Sequence, residues 1–233
     1  ATVSDQEDLP SDIALSWGRH HYLDNTDDDG RTYRQCLQAA GDLAGSEEDD
    51  VSNPIYNAIF HFINRARVLT LIHSSKRGTR FINGLIGNLI RPALDTAGTG
   101  TEFAGAPVLI TNNNHAKGLF NGDVGVILGT SDGGYRAVFP RLGTYLSFPI
   151  DTLPPHQPAF AMTVHKSQGS EYDQVLLVLP EDTKHRLLTR EIIYTGLTRA
   201  KYLAVTYGAA EAMQTAIANR ICRYSGLDLW EDV

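Results

Sequence analysis

The sequence predicts an α/β fold, a parallel sheet flanked by helices on both faces, with a small antiparallel β unit set into it. Three observations lead there. Beyond Pro154-Pro155, short apolar runs alternate with helical patterns, which is how a parallel sheet with crossover helices is written in sequence. Between residues 124 and 150, three strand-like runs follow one another with only turn-forming residues between them, the signature of antiparallel hairpins. The 233 residues, 42% of them hydrophobic, are enough to build a substantial core.

The elements follow in order. Residues 1–52 are polar and turn-rich, with weak helical patterning around Tyr33–Leu43. Asn53-Pro54 supplies an N-cap and a proline at the first helical position, and Ile55, Ile59, Phe62 and Ile63 give the apolar stripe of a helix to about Arg67. Val68–Ile72 is a buried strand, residues 73–80 a polar loop, and Phe81–Ile90 a helix weakened by Gly84 and Gly87. Pro107–Thr111 is a buried strand ending in three asparagines. The runs Val124–Leu128, Tyr135–Phe139 and Tyr145–Ile150 form the antiparallel unit, too small to stand comfortably alone. Strands Phe160–Val164 and Val175–Leu179, a helix from Arg190 to Lys201, strand Tyr202–Tyr207 and helix Ala209–Arg223 complete the chain.

The net charge of −7 conceals an asymmetry. Residues 1–50 carry 13 acidic and 3 basic side chains, whereas residues 51–233 carry 14 acidic and 17 basic. The acidic clusters Asp27-Asp28-Asp29 and Glu47-Glu48-Asp49-Asp50 read as solvated loops, and the mildly basic remainder permits a local phosphate-binding channel without demanding one. No run of 18 apolar residues and no charged-then-apolar leader is present, so a cytoplasmic setting is expected. Cys36 and Cys222 match no metal or redox spacing and are expected to be buried free thiols; no metal ligands are assigned.

Chemistry concentrates in two stretches. Thr163-Val164-His165-Lys166-Ser167-Gln168-Gly169 follows a strand of the sheet, at the carboxyl edge where ligands of open α/β sheets bind. Thr163, Ser167 and the turn amides can donate to phosphate oxygens, His165 and Lys166 add polar or positive contacts, Gly169 permits a tight turn, and Glu171 can accept from a ribose hydroxyl. The stretch is no ordinary phosphate loop, because G-x-x-x-x-G-K-[ST] puts a glycine directly before the lysine and His165 stands there. Tyr194–Ala200 places Arg199 on a helix near the same edge, where an arginine is costly unless it meets an anion. Simpler roles compete: a backbone bond for His165, a salt bridge from Arg199 to Glu191 or Asp173, and turn caps for Asn113 and Asn121. Lys76, Arg77 and Arg80 form a basic loop that either touches a ligand or is merely solvated.

T-V-H-K-S-Q-G-S-E-Y-D followed by I-Y-T-G-L-T-R-A-K resembles motifs V and VI of superfamily one DNA helicases of the RecD type, the alpha subunits of exodeoxyribonuclease V. The stretch 107–125, with L-F-N-G-D-V-G, is similar to the family's approach to an SH3-like insertion, residues 68–83 weakly resemble motif IV, and the likeness spans roughly 54–230. The resemblance implies a RecA-like second motor domain, its first part at 53–118 and the remainder at 158–233, with an SH3-like β-barrel at 119–157 and an acidic segment at 1–52 outside the likeness. It implies that Gln168, Gly169 and Glu171 face ATP with Mg2+, and that Thr163, His165, Lys166, Ser167 and Asn113 face single-stranded DNA. Arg199 matches the finger that reaches the γ-phosphate. It further implies 5′–3′ translocation, a role in double-strand-break repair, and RecB and RecC as partners, although stand-alone RecD-type helicases lack them. The Lys-Ser-Gln-Gly turn would then couple two ligands.

The sequence has no G-x-x-x-x-G-K-[ST] and no apolar run closing in Asp-Glu. By the resemblance those parts lie in a first motor domain, so the chain is expected to be a C-terminal portion that does not turn over ATP alone. Two rival readings use the same residues: a helicase-derived, non-catalytic module binding DNA or protein, and an interaction domain working through its acidic first 50 residues. Arg199 weighs against the former, since a pure binding module has no γ-phosphate to reach.

Overall fold

The computed structural model describes residues 10–41, 48–50, 53–94, 98–100, 102–131, 133–142 and 144–221. The helices are α1 (Pro10–Tyr22), α2 (Tyr33–Gly41), α3 (Pro54–Arg65), α4 (Thr79–Leu94), α5 (Arg190–Leu197) and α6 (Ala210–Ala218). The strands are β1 (Glu48–Asp50), β2 (Ala66–Thr70), β3 (Gly98–Thr99), β4 (Glu102–Phe103), β5 (Pro107–Ile110), β6 (Val124–Gly129), β7 (Tyr135–Arg141), β8 (Thr144–Pro149), β9 (His156–Pro158), β10 (Ala161–Thr163), β11 (Tyr172–Val178) and β12 (Ala200–Tyr207). No helix among the described residues is long and apolar enough to cross a membrane.

Two sheets share the core. The parallel sheet has strand order β10-β2-β11-β12. Its helices are the ones the sequence marks. Asn53 caps α3, its side chain accepting from the Ile55 amide at 3.0 Å, with Pro54 at the first helical position. The second sheet is antiparallel, in the order β1-β8-β7-β6-β5-β9, and contains the three expected strands. It also takes in β5, which pairs with β6 and β9, so the Pro107 strand lies outside the parallel sheet. Smaller shifts occur too: α3 stops at Arg65 rather than Arg67, α4 runs through both glycines to Leu94, and α6 ends at Ala218. Residues of the expected last helix beyond 221 lie outside the described ones.

The N-terminal segment departs most from expectation. It forms α1 as well as α2, and β1, in the second acidic cluster, pairs with β8. The buried face of α1 is Ala14, Gly18, His21 and Tyr22. A Cβ on Gly18 would stand 3.0 Å from the Ile86 side chain, so the glycine lets α1 lie close on α4. That face is built of two small residues, a histidine and a tyrosine, which leaves no aliphatic stripe to detect. Asp27 is also not a solvated loop residue. It is buried and accepts from the Arg31 amide at 2.7 Å and the Arg31 guanidinium at 2.8 Å, while Asp28 and Asp29 are exposed. Cys36 is buried and free, as expected, and burial beside Asp27 pushes its thiol up to about 11; Cys222 lies outside the described residues.

His21 sits against Trp17 and His20, with ring centroids 4.4 Å and 4.7 Å away. Burial, helped by the nearby His20 and Arg65, lowers its pKa from 6.5 to about 4. The unfolded chain therefore takes up this proton as pH falls through 6.5, whereas the folded chain holds it off until about 4. Stability contributed by neutral His21 is present above pH 6.5 and is lost as pH falls towards 4. Urea midpoints measured between pH 7 and 4.5 should decline, and His21→Gln should flatten part of that decline. Parallel curves for the two proteins would contradict the assignment.

Candidate nucleic-acid interface

β10 ends at Thr163, in register with Thr70 of β2, which in turn stands opposite Val178 of β11. Thr163 thus marks the carboxyl edge of the parallel sheet, as the sequence predicts. A 3₁₀ turn, Val164–Ser167, follows. His165 is exposed on it and Lys166 half-buried. Ser167 is fully buried, and its hydroxyl donates to the Val164 carbonyl at 2.8 Å, so its side chain holds the turn together instead of facing outward. Thr163 is buried as well.

The chain then reverses. Gln168 has φ −60° and ψ 130°, Gly169 has φ +86°, and the Ser170 amide donates to the Ser167 carbonyl at 3.0 Å. This is a type II β-turn, which requires a positive φ at its third residue and so favours glycine there. Glu171 follows, exposed, and Tyr172 opens β11. Tyr172 pairs with Ala200, at the amino edge. At roughly 3.3 Å per residue, the length of β11 from Tyr172 to Val178 puts that edge about 20 Å from the carboxyl edge.

Arg199 corrects the sequence reading in two respects. It lies in the turn after α5, not on the helix, and at the amino edge, not the edge of Thr163 and His165. The cause is topological: a crossover helix returns the chain to the edge where parallel strands begin, so the junction of α5 with β12 belongs there. The Tyr172 amide donates to the Arg199 carbonyl at 2.8 Å, drawing the backbone into β12 two residues earlier than expected. The half-buried guanidinium donates to the carbonyls of Thr195 and Ser170, both at 3.2 Å. Neither suggested salt-bridge partner holds it. Asp173 lies 3.8 Å from Lys201, and Glu191 accepts from the Ile221 amide at 3.2 Å. Gly196 is buried beneath this turn, and a Cβ there would stand 3.0 Å from Leu177 and 3.3 Å from Val164.

The structure therefore divides the candidates between two edges. Thr163, His165 and Lys166 stand at the carboxyl edge; Gly169, Glu171 and Arg199 stand at the amino edge, with Gln168 between. Asn113 joins the first group through two hydrogen bonds that sequence reasoning missed. Lys166 donates to the Asn121 side-chain oxygen, and the Asn121 amide donates to the Asn113 side chain at 2.8 Å. The basic loop is also bound in place: the Arg77 guanidinium lies 5.1 Å from the Tyr207 ring centroid at the end of β12, while Lys76 and Arg80 are exposed. A cavity of about 370 Å³ opens beside the first turn of α4, lined by His73, Thr79, Arg80, Asn83, Gln157 and Pro158. Nothing in the sequence marked Arg67. It is wholly buried in β2, donates to the carbonyls of Ala159 and of Ile63 (3.0 Å), and lies 4.9 Å from the Tyr172 ring centroid. It thereby ties α3 and the approach to β10 to the start of β11.

Residues 158–206, which run from the last residue of β9 into β12, match the family model of the UvrD-like helicase C-terminal domain. Over 128 residues the chain is 42% identical to the RecBCD enzyme subunit RecD of Mycolicibacterium smegmatis, covering 55% of this chain and 22% of that protein. Over 175 residues it is 34% identical to the RecBCD enzyme subunit RecD of Haemophilus influenzae, covering 73% and 26%. Among solved structures, a Bacteroides Pif1 bound to single-stranded DNA superposes with a TM-score of 0.43 at 16% identity, over 92% of this chain and 52% of that one. The chain spans about a quarter of the length of the curated relatives it matches. The chain is thus similar to RecD subunits and, over the segment that carries the candidate residues from Thr163 to Arg199, to the UvrD-like helicase C-terminal domain.

Proposed function

We propose that this chain serves as the second motor domain of an ATP-dependent DNA helicase, joining a single-stranded DNA site at the carboxyl edge of its parallel sheet to a nucleotide site at the amino edge. The observation that carries this reading is the crossover 163–172. One continuous segment runs from Thr163, His165 and Lys166 at one edge to Gly169 and Glu171 at the other, where Arg199 hydrogen-bonds Ser170. Movement at either end is transmitted through a turn stiffened by the Ser167 hydroxyl and the Gly169 geometry.

The residues at the amino edge fit a nucleotide. Arg199 is a half-buried cation held by two neutral carbonyls, which leaves its charge available to an anion. Gln168, Gly169 and Glu171 would line the same side. ATP with Mg2+ would supply the phosphoryl group whose hydrolysis drives movement, and the phosphate loop and magnesium ligands would come from a first motor domain. At the carboxyl edge His165 and Lys166 would hold the DNA backbone, with Asn113 steadying the loop beside them and Ser167 acting through its backbone. Strands β6, β7 and β8 would form the SH3-like subdomain of about 119–157, set between the motor parts 53–118 and 158–233, with β5 of the first motor part pairing along β6. By the family likeness the whole protein would work in the cytoplasm, move 5′–3′ in double-strand-break repair, and assemble with RecB and RecC.

His165→Ala is expected to weaken single-strand binding and to make the salt dependence shallower by up to about one unit in the log–log slope. Oligonucleotide titrations at several salt concentrations test this. Unchanged affinity throughout would return His165 to a purely structural role.

A further inference from the structure

The loop between β5 and β6 exposes an aromatic ring that the motifs leave without a task. Phe120 is 43% exposed, although its neighbour Leu119 is completely buried. Its backbone is fixed on both sides: the Phe120 amide donates to the Asp123 carboxylate at 2.6 Å, and the Phe120 carbonyl accepts from the Asp123 amide at 3.0 Å. Arg141 braces the same loop, donating to the Gly118 carbonyl at 2.5 Å and to the Asp123 carboxylate. Its guanidinium lies 5.9 Å from the Phe120 ring centroid, and the His115 ring stands nearly perpendicular at 5.6 Å. Phe120 is therefore a rigid, solvent-facing ring set among basic side chains. It is also next to Asn121, which receives the hydrogen bond from Lys166 of the 163–172 crossover. That bond joins the surface of His165 and Lys166 to the surface of Phe120.

We infer that Phe120 is a base-stacking platform for single-stranded DNA lying along the carboxyl edge, with Arg141 and His115 bracing the ring. The inference rests on the single-strand reading proposed above and adds a contact to bases, where that reading has contacts only to the backbone. The physics suits a translocating motor. Every base has a π-face, so stacking is tolerant of sequence, and a ring already held in place loses little conformational freedom on binding. The nearby Lys166 ammonium adds positive charge for the phosphates that flank the stacked base.

The test uses the full chain and two oligonucleotides of equal length, oligodeoxythymidylate and a wholly abasic strand, titrated by fluorescence anisotropy. Phe120→Leu keeps an apolar side chain at an exposed position and Phe120→Trp keeps a stacking ring; thermal melting checks that both remain folded. Phe120→Leu should bind oligodeoxythymidylate about tenfold more weakly than wild type. It should bind the abasic strand equally well, and Phe120→Trp should match or exceed wild type on both. If Phe120→Leu equals wild type on oligodeoxythymidylate while His165→Ala still weakens it, the stacking platform is wrong and the single-strand reading stands. Equal weakening on both strands would make the ring a support for the loop, which also overturns the inference. Wild-type protein that binds neither strand would bring down the reading and the inference together.

Discussion

Arg199→Ala, in a protein that also carries the first motor domain, should cut DNA-stimulated ATP hydrolysis by roughly 10³–10⁵-fold. DNA affinity should stay nearly intact. The size of the effect follows from phosphoryl transfer, in which catalysis is almost entirely positioning and charge stabilisation around the γ-oxygens. The separation of rate from affinity follows from topology: Arg199 lies at the start of β12, across the sheet from Thr163 and His165. Two of its donors are spent on the Thr195 and Ser170 carbonyls, which aim the guanidinium without neutralising it. Arg199→Lys should recover little, because a point charge cannot make those aiming bonds and also offer a planar fork. Steady-state ATPase assays with saturating single-stranded DNA decide the matter. A loss of less than about tenfold in the alanine variant would sink the finger assignment.

Gly196→Val should destabilise the domain by about 1–3 kcal/mol through overpacking. For a chain of this size that corresponds to a fall of roughly 3–10 °C in melting temperature. The glycine lies in α5 where a Cβ would meet Leu177 at 3.0 Å and Val164 at 3.3 Å, and a branched side chain has no room between them. Gly196→Ala is a graded control. It gains helix propensity of about 1 kcal/mol, and the side-chain ends it crowds can shift by a few tenths of an ångström, so the net change should be small. Since Val164 begins the 3₁₀ turn and α5 leads into Arg199, Gly196→Val should also slow DNA-stimulated ATP hydrolysis at temperatures where the protein is still folded. Calorimetry and ATPase assays on the same preparations would show both effects. An unchanged melting temperature would mean that α5 does not pack on β11 in this way.

The parts of this fold that were legible in sequence are those written in local chemistry. Asn53-Pro54 announces α3 because capping and proline geometry act within one turn. Gly169 announces its turn because a type II geometry has few other occupants. The antiparallel strands show in their regular punctuation by turn residues. What stayed hidden depends on partners distant in sequence. The buried face of α1 is formed by Ala14, Gly18 and His21, suited to close approach on Ile86, so no hydrophobic periodicity reveals it. Arg67 looks like a helix-terminal surface residue, yet its carbonyl acceptors are at Ile63 and Ala159. The three acidic residues of β1 have poor strand propensity, and their pairing with Thr144, Tyr145 and Leu146 comes from the exposed edge that β8 presents.

The candidate site divides the same way. The candidate residues come from two short stretches of sequence, while their distribution over two edges is set by the fold alone. A linear sequence shows that residues 163–171 and 199 belong together but not that a crossover helix sets Arg199 across the sheet from His165. Ser167 illustrates the limit. Its hydroxyl is chemically suited to a phosphate, and only the fold reveals that the Val164 carbonyl already holds it.

The two-edge arrangement is tested most directly by photocrosslinking single-stranded DNA that carries iodouracil to the protein and mapping the adducts by mass spectrometry. Adducts confined to residues 112–122 and 163–167 are the predicted result. Adducts at residues 168–171 or 194–199 would place DNA at the edge assigned to nucleotide and contradict the account.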